Sequence, residues 1–392
     1  TEELRNASIS TQENTIGPFK QGQTIIVNGV KIILGESASD AKIINSNPNS
    51  DGDVFTLVDK NNNLKIWGHK NLGGNSPTDI SNVNIVSTNK YAVAVLTIDG
   101  YVYAWGNSNY GGDLSQDLSG VSNLFASEKA FCALKTNGTV VCWGDADNGG
   151  TTPNINNVVS VTANKKAFTA LLSDGTVQSW GNITGNVPTT NNFTDIFSSL
   201  DCFAGLKAGG TVESWGSSIN SLNTPPTDIS NISIIYSNDY AFVALTSDGY
   251  LYNWGDSNYG GTTDLTHLSN IEKVFNTNHS FACLDYENKL FCWGDQNKGG
   301  QTPDISNNII NIYSNTDSFA AININKEVIS WGNNENGGVT PKNTINRRIV
   351  PTMLFNKFGG ALMKKDKTVV TFGHDDFFGP NELKRIHNLR NV

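Results

Sequence analysis

The residues able to do chemistry are few and scattered. The five histidines (His69, His267, His279, His374 and His387) fall at non-equivalent places, and no two share the spacing of a metal site on one element. There is no phosphate-cradling Gly-Lys loop, no Gly-x-Ser-x-Gly elbow and no dinucleotide fingerprint. Asp145 and Asp147 form an Asp-x-Asp pair that superficially suggests calcium. The spaced further ligands of an EF-hand are missing, and Asp and Asn are ordinary turn formers. The expectation is a protein with no catalytic residue, no metal and no cofactor.

Cysteine arithmetic gives one candidate. Five cysteines without a C-x-x-C make neither a disulfide framework nor a zinc site at this length. In FACLDYENKLFCWG a two-residue turn at Glu287-Asn288 would set Cys283 opposite Cys292. Cβ atoms of opposed residues lie roughly 4.5–5.5 Å apart, within reach of a cross-strand disulfide. The same arithmetic around Asn137-Gly138 sets Cys142 opposite Ala133, so Cys132 and Cys142 are expected to miss each other. Those two and Cys202 are expected to be buried thiols.

The elements that must carry these residues are repeats. Trp-Gly recurs eight times, in KIWG, YAWG, VCWG, QSWG, ESWG, YNWG, FCWG and ISWG, ending at Gly68, Gly106, Gly144, Gly181, Gly216, Gly255, Gly294 and Gly332. Successive steps are 38, 38, 37, 35, 39, 39 and 38 residues. Two worn copies, IIVNGVKIILG and VVTFG, end at Gly35 and Gly373 with Leu34 and Phe372 in the Trp place. Each unit has a short strand, then two β-rich segments split by Asp-Gly or its equivalent, then an Asn-, Ser- and Gly-rich stretch.

Taking Asp248-Gly249 as a two-residue turn puts Leu245 opposite Tyr252 and Val243 opposite Trp254. Leu245 and Trp254 then share one apolar face, with Ala244 and Leu251 on the other. A sheet apolar on both faces is sandwiched between neighbours. The expectation is an all-β, propeller-like array of about ten short blades, closed or nearly closed, forming one domain over residues 1–392. Trp67, Trp105, Trp143, Trp180, Trp215, Trp254, Trp293 and Trp331 are expected to fill the wedges between blades.

The hairpin, with its aliphatic-Leu-x-x-Asp-Gly-x-Val-x-x-Trp-Gly-x-Asn pattern, resembles the regulator of chromosome condensation repeat family over nearly the whole chain. The eukaryotic exchange factors of that family have longer units, with Gly-Gln-Leu-Gly after the Trp-Gly and a His before the second strand. Here the element is only Gly-Gly (as at Gly111-Gly112 and Gly260-Gly261), and His279 alone occupies the His place. The short units look more like those of bacterial members, the propeller-type β-lactamase inhibitory protein among them. The resemblance implies a propeller fold and a bacterial, secreted or host-exposed protein.

Composition sets the remaining bounds. The 392 residues are 38% hydrophobic and 9% aromatic, too aromatic for a disordered chain. No run of 18 apolar residues exists to span a membrane as a helix, so no membrane insertion is expected. A net charge of -9 argues against duplex DNA. Residues 341–392 hold ten of the bases and four of the acids, making a basic patch that includes Arg347, Arg348, Lys364, Lys365, Lys384 and Arg385.

The function expected is a monomeric, non-enzymatic scaffold that binds a protein partner through loops after Trp-Gly. Asn107, Tyr110, Asp145, Asp256, Tyr259, Asp295 and Phe377 are the candidate contacts. The alternative is a regulator of another enzyme, either a small-GTPase exchange factor or a hydrolase inhibitor. A sugar-stacking lectin ranks third, because the repeated Trp is needed in the core.

Overall fold

The computed structural model describes residues 62–339, except 78, 115–117, 217–223 and 305, and a set of flanking strands. Those strands are Asn14–Ile16, Thr24–Val27, Val30–Ile33, Lys42–Asn45, Val54–Val58, Ile349–Asn356, Gly359–Lys364 and Val369–Gly373. Two compact units divide the chain, residues 1–191 and residues 192–392, here the N-terminal and C-terminal units. Both are built from the same three-stranded antiparallel sheet.

The Trp254 blade is representative: Ile232–Ser237, Ala241–Thr246 and Leu251–Gly255, each strand paired with the next. Among the described residues, helix is confined to three-residue 3-10 turns such as Ser257–Tyr259. The chain is thus all-β, and its sheets stack as propeller blades do. Nine described sheets have three or four strands. The worn first unit departs from the pattern. Its Thr24–Val27 and Val30–Ile33 form a separate two-stranded hairpin, while Asn14–Ile16 joins the sheet of the next blade through Lys42–Asn45. The ends that ring closure would bring together lie outside the described residues.

The hairpin register corrects the sequence arithmetic by one residue. Leu245 lies opposite Leu251, and Phe242, not Val243, lies opposite Trp254. The loop is three residues, Ser247-Asp248-Gly249, closed by Thr246 N–H to Tyr250 O at 2.9 Å and Gly249 N–H to Thr246 O at 3.1 Å. Gly249 sits at φ +86°, the left-handed position that closes a three-residue hairpin. Because side chains alternate, a one-residue slip moves the partner strand's residues to the other face. Leu245 and Leu251 therefore share a face with Ala241 and Val243, while Phe242, Ala244 and Trp254 point to the opposite neighbour.

Each core belongs to two blades. Cys132, Leu134 and Val140 of the Trp143 blade pack with Ile155, Val158, Val161 and Phe168 of the next. Phe131, Phe168, Phe203, Phe242, Phe281 and Phe319 are fully buried, each stacked on the Trp opposite it, with ring centroids 5.3–5.9 Å apart. Full burial of one such ring contributes about 1.5–3 kcal/mol. Six described Trp residues are buried, Trp180 is half-buried, and Trp67 has no described side chain.

The Gly-Gly element is the socket for the next blade. Nε1–H of Trp105, Trp143, Trp180 and Trp331 donates to the carbonyl of Gly73, Gly111, Gly149 and Gly299, at 2.8, 3.0, 3.2 and 3.0 Å. Gly111, at φ +93°, has no room for a side chain: a Cβ would lie 2.6 Å from Phe131.

Main-chain clasps join the hairpin ends. Ile271 N–H donates to the turn carbonyl of Gly249 in the preceding blade, and Ser247 N–H to Asn231 O. Asn82, Asn157, Asn192, Asn231, Asn270 and Asn308 hold φ between +57° and +71° just before a first strand. Asn tolerates that conformation better than other side-chain-bearing residues, which accounts for its recurrence at this place in the unit.

Candidate functional site

At the end of the blades opposite the hairpin turns, a small polar residue opens the loop between first and second strands. Asn238 is 4% exposed, and its Oδ1 accepts from Tyr240 and Ala241 N–H at 2.8 and 2.7 Å. Its Nδ2 donates to Tyr259 O at 2.8 Å, at the end of the 3-10 turn. Asn89 makes the same three bonds to Tyr91, Ala92 and Tyr110, and Asn315 to Asp317, Ser318 and Asn336. Thr277 substitutes with one hydroxyl, accepting from His279 N–H and donating to Lys298 O.

The cap thus fixes two surface positions per unit. One lies two residues after it (Tyr91, Tyr240, His279, Asp317), and the other closes the 3-10 turn (Tyr110, Tyr259, Lys298, Asn336).

These positions line up into a stripe. In the C-terminal unit Tyr240 stacks on Tyr259 with centroids 4.3 Å apart, and His279 lies 5.8 and 5.5 Å from the two rings. His279 Nδ1 is 3.1 Å from Asp317 Oδ1, Lys298 Nζ is 3.2 Å from the same oxygen, and Asn336 Nδ2 donates to Oδ2 at 2.9 Å. Lys298 Nζ also approaches His279 Nε2 at 3.4 Å. The tautomer with its proton on Nδ1 satisfies both contacts, donating to Asp317 and accepting from Lys298.

Burial pushes the Asp317 carboxyl up. Hydrogen bonds from His279 and Lys298, with the positive charge of Lys298, outweigh it and bring the group down to about 2. Burial raises the Tyr240 phenol, and Asp239 and Tyr259 add to the shift. In the N-terminal unit Tyr91 and Tyr110 are 4.5 Å apart, with Lys90 Nζ 5.8 Å above the first ring and Lys129 Nζ 5.4 Å above the second.

No nucleophile completes the His279–Asp317 pair among the described residues near it. Ser280 is fully buried, and its Oγ donates to the carbonyls of Lys298 and Asp295 at 2.8 and 3.2 Å. Among the described residues no three His, Cys, Asp or Glu side chains cluster to hold a metal ion. The arrangement suits contact: stacked half-buried rings beside an ion-paired cluster.

The candidate contacts from the sequence fall into two groups. Tyr110 and Tyr259 lie in the stripe, half-buried on Tyr91 and Tyr240. Asn107, Asp145, Asp256 and Asp295 are structural in place, each accepting a backbone N–H as the cap of a 3-10 turn. Phe377, Arg347, Arg348, Lys365, Lys384 and Arg385 lie outside the described residues, as does the side chain of Lys364.

The cysteine pairing is corrected by the same one-residue register. Cys283 lies opposite Phe291 and Cys292 opposite Ala282, so this pair does not face across the hairpin. Cys132 and Cys142 do.

Sequence reasoning passed over Tyr91, Tyr240, Lys298 and Asp317. Their signal was the box Asn/Ser/Thr-x-X-Ala/Ser/Cys at the second strands from Ala92 to Ser318, whose X begins the stripe.

The other end of the blades carries single exposed apolar groups, including Ile98, Tyr101, Tyr250, Tyr286 and Ile324. An open depression there, about 440 Å³, is lined in part by His267, Asp285, Tyr286 and Phe291.

No protein-family profile and no curated protein sequence matches the chain. Solved structures do. The ectodomain of the Physcomitrella patens receptor kinase CR4 aligns at TM-score 0.41 and 19% identity, covering 62% of this chain and 71% of that one. Prp20p from Saccharomyces cerevisiae, studied for binding to Gsp1p and histones, aligns at 0.39 and 16% identity, over 87% and 95%. Human WBSCR16 aligns at 0.35 and 16%, over 80% and 85%. The yeast protein is itself named RCC1 in a complex with Kap60.

Proposed function

We propose that the chain is a non-enzymatic protein-binding scaffold whose contact face is the stripe at the 3-10 end of the blades. The observation that carries this reading is a pair of half-buried tyrosines in ring contact in each unit, Tyr91–Tyr110 tilted at 4.5 Å and Tyr240–Tyr259 stacked at 4.3 Å. Rings held by a buried Asn cap lose little freedom on binding, and rigid aromatics beside charge are what interface hot spots use. A bacterial, secreted or surface-exposed setting is part of the proposal and is supported by the short units alone. A partner that is itself an enzyme would make the chain its regulator. The lectin alternative is disfavoured because the repeated Trp rings are packed on Phe, and four of their described N–H groups donate to glycine carbonyls.

The test places a photo-crosslinking residue at position 259 and, as a control, at 286, and exposes both proteins to candidate partners. Tyr240→Ala and Tyr259→Ala should each weaken capture at least about tenfold, equivalent to 1.4 kcal/mol, without lowering the melting temperature. Capture that depends on Tyr250 and Tyr286 and ignores the stripe would overturn the assignment. So would catalytic turnover abolished by a single loop substitution.

A further inference from the structure

Cys132 and Cys142 lie directly opposite one another on adjacent strands of the Trp143 blade, Ala130–Lys135 and Val140–Gly144. Their pair is the wide, non-hydrogen-bonded kind. Cys142 N–H points away from the partner strand to Thr152 Oγ1 at 2.9 Å, and its carbonyl accepts from the same hydroxyl at 3.1 Å. In such pairs the Cα atoms come within about 4.5 Å and the side chains are closest, inside the range a disulfide spans. The two Sγ atoms are 2.7 Å apart, nearer than the roughly 3.5–4.0 Å at which even carbon atoms rest in contact.

The slot recurs in every blade, which shows what its geometry does to side chains. In the next blade it holds Thr169 and Ser179, whose hydroxyls bond at 2.7 Å. In the Trp254 and Trp293 blades it holds Val243–Asn253 and Ala282–Cys292. Among the described blades only the Trp143 blade fills it with two sulfurs.

We propose that Cys132 and Cys142 are the site of a cross-strand disulfide, formed when the chain folds in the presence of a small-molecule disulfide such as oxidised glutathione. The balance is two electrons. A Cys142 thiolate attacks the small disulfide and releases one thiolate, giving a mixed disulfide. Cys132, having given up its proton, then attacks the Cys142 sulfur and displaces the second. Two protein thiols and one small disulfide become one protein disulfide and two small thiols. The step belongs to folding, not to the finished fold, because Cys132 is fully buried and Cys142 only 6% exposed. Burial also holds the Cys132 thiol well above its ordinary range, so it is protonated and inert once covered. Once made, the bond is shielded from external thiols by the same burial. Cys202, Cys283 and Cys292 have no opposed sulfur and stay reduced.

The experiment folds the reduced, denatured chain in a reduced/oxidised glutathione buffer and, in parallel, produces it in the bacterial periplasm. Both samples are unfolded in denaturant, alkylated without reduction and digested with trypsin. Cleavage after Lys129, Lys135 and Lys165 separates the two cysteines into Ala130–Lys135 and Thr136–Lys165. The expected result is one linked species that splits into these two peptides on reduction, with the peptides of Cys283 and Cys292 alkylated. Cys142→Ala should abolish the linked species and raise alkylation of Cys132 from near zero to complete after unfolding. Full alkylation of both cysteines in either native sample sinks the proposal, as does a link from either one to Cys202, Cys283 or Cys292.

Discussion

The stripes of the two units share a frame and differ in chemistry. Asn89 and Asn238 make the same three hydrogen bonds and hold a tyrosine pair in ring contact, yet the side chains beyond the rings are different. In the N-terminal unit the next side chain is Lys129, poised over the Tyr110 ring without a carboxylate beside it in the stripe. In the C-terminal unit His279, Lys298 and Asp317 neutralise one another. The chemistry that differs is therefore carried by residues the backbone does not need, on positions that it fixes. The N-terminal stripe offers an unspent positive charge next to rings, suited to an acidic patch on a partner. The C-terminal one offers a stiff ion-paired cluster beside rings that Asp239, Asp201 and Asp256 surround with negative charge.

The largest effects should be blind to this difference. Trp143→Ala and Trp254→Ala should each destabilise their unit by about 3–5 kcal/mol, the usual cost of emptying a large buried site. Chemical denaturation followed by far-ultraviolet circular dichroism measures it, and unequal losses would break the claim of a common frame. Next come the caps. Asn89→Ala and Asn238→Ala each strand a buried carbonyl and two amides, and should cost about 2–3 kcal/mol alike. A loss confined to one of them would mean the stripes are held by different means.

Asp317→Asn separates the stripes. The carboxyl is depressed to about 2, so its contribution is complete above the ordinary carboxylate value and fades as pH falls toward 2. At neutral pH the substitution should cost about 1 kcal/mol once screening at a half-buried site is allowed for. It should also flatten the acid limb of the stability profile in that window, as read by melting temperature against pH. The smallest effect is Lys129→Ala, about 0.5–1 kcal/mol for a cation resting on a ring. A double-mutant cycle with Tyr110→Leu reads it, and zero coupling would leave that lysine wholly available to a partner.

The repeat, the all-β class and the burial of six of the Trp residues were legible because period and residue type carry them. Register was not. DG, NG and EN each look like a two-residue turn, but the preceding Ser247, Thr136 or Tyr286 belongs to the loop, and the left-handed residue comes third. That single residue moved Cys142 from Ala133 to Cys132 and removed Cys283 from Cys292. Tyr110 and Tyr259 could be chosen as aromatics after Trp-Gly, whereas Asp317 could not, because its partners lie 19 and 38 residues back on other blades. Asp145, Asp256 and Asp295 had the residue type of a ligand and the position of a cap, and only geometry separates the two.

The clasps between hairpin ends use main-chain atoms and ask only that one residue accept a left-handed conformation. A duplicated unit therefore arrives with its own fastening at both sides, Gly249 O to receive the next strand and Ile232 N–H to reach Gly210 O of the blade before. Such a joint does not care which side chains flank it. Copies can be gained, lost or shuffled, and can then diverge on the stripe without renegotiating their attachment. The array is in this sense a heritable connector, with chemistry free to drift on top of it.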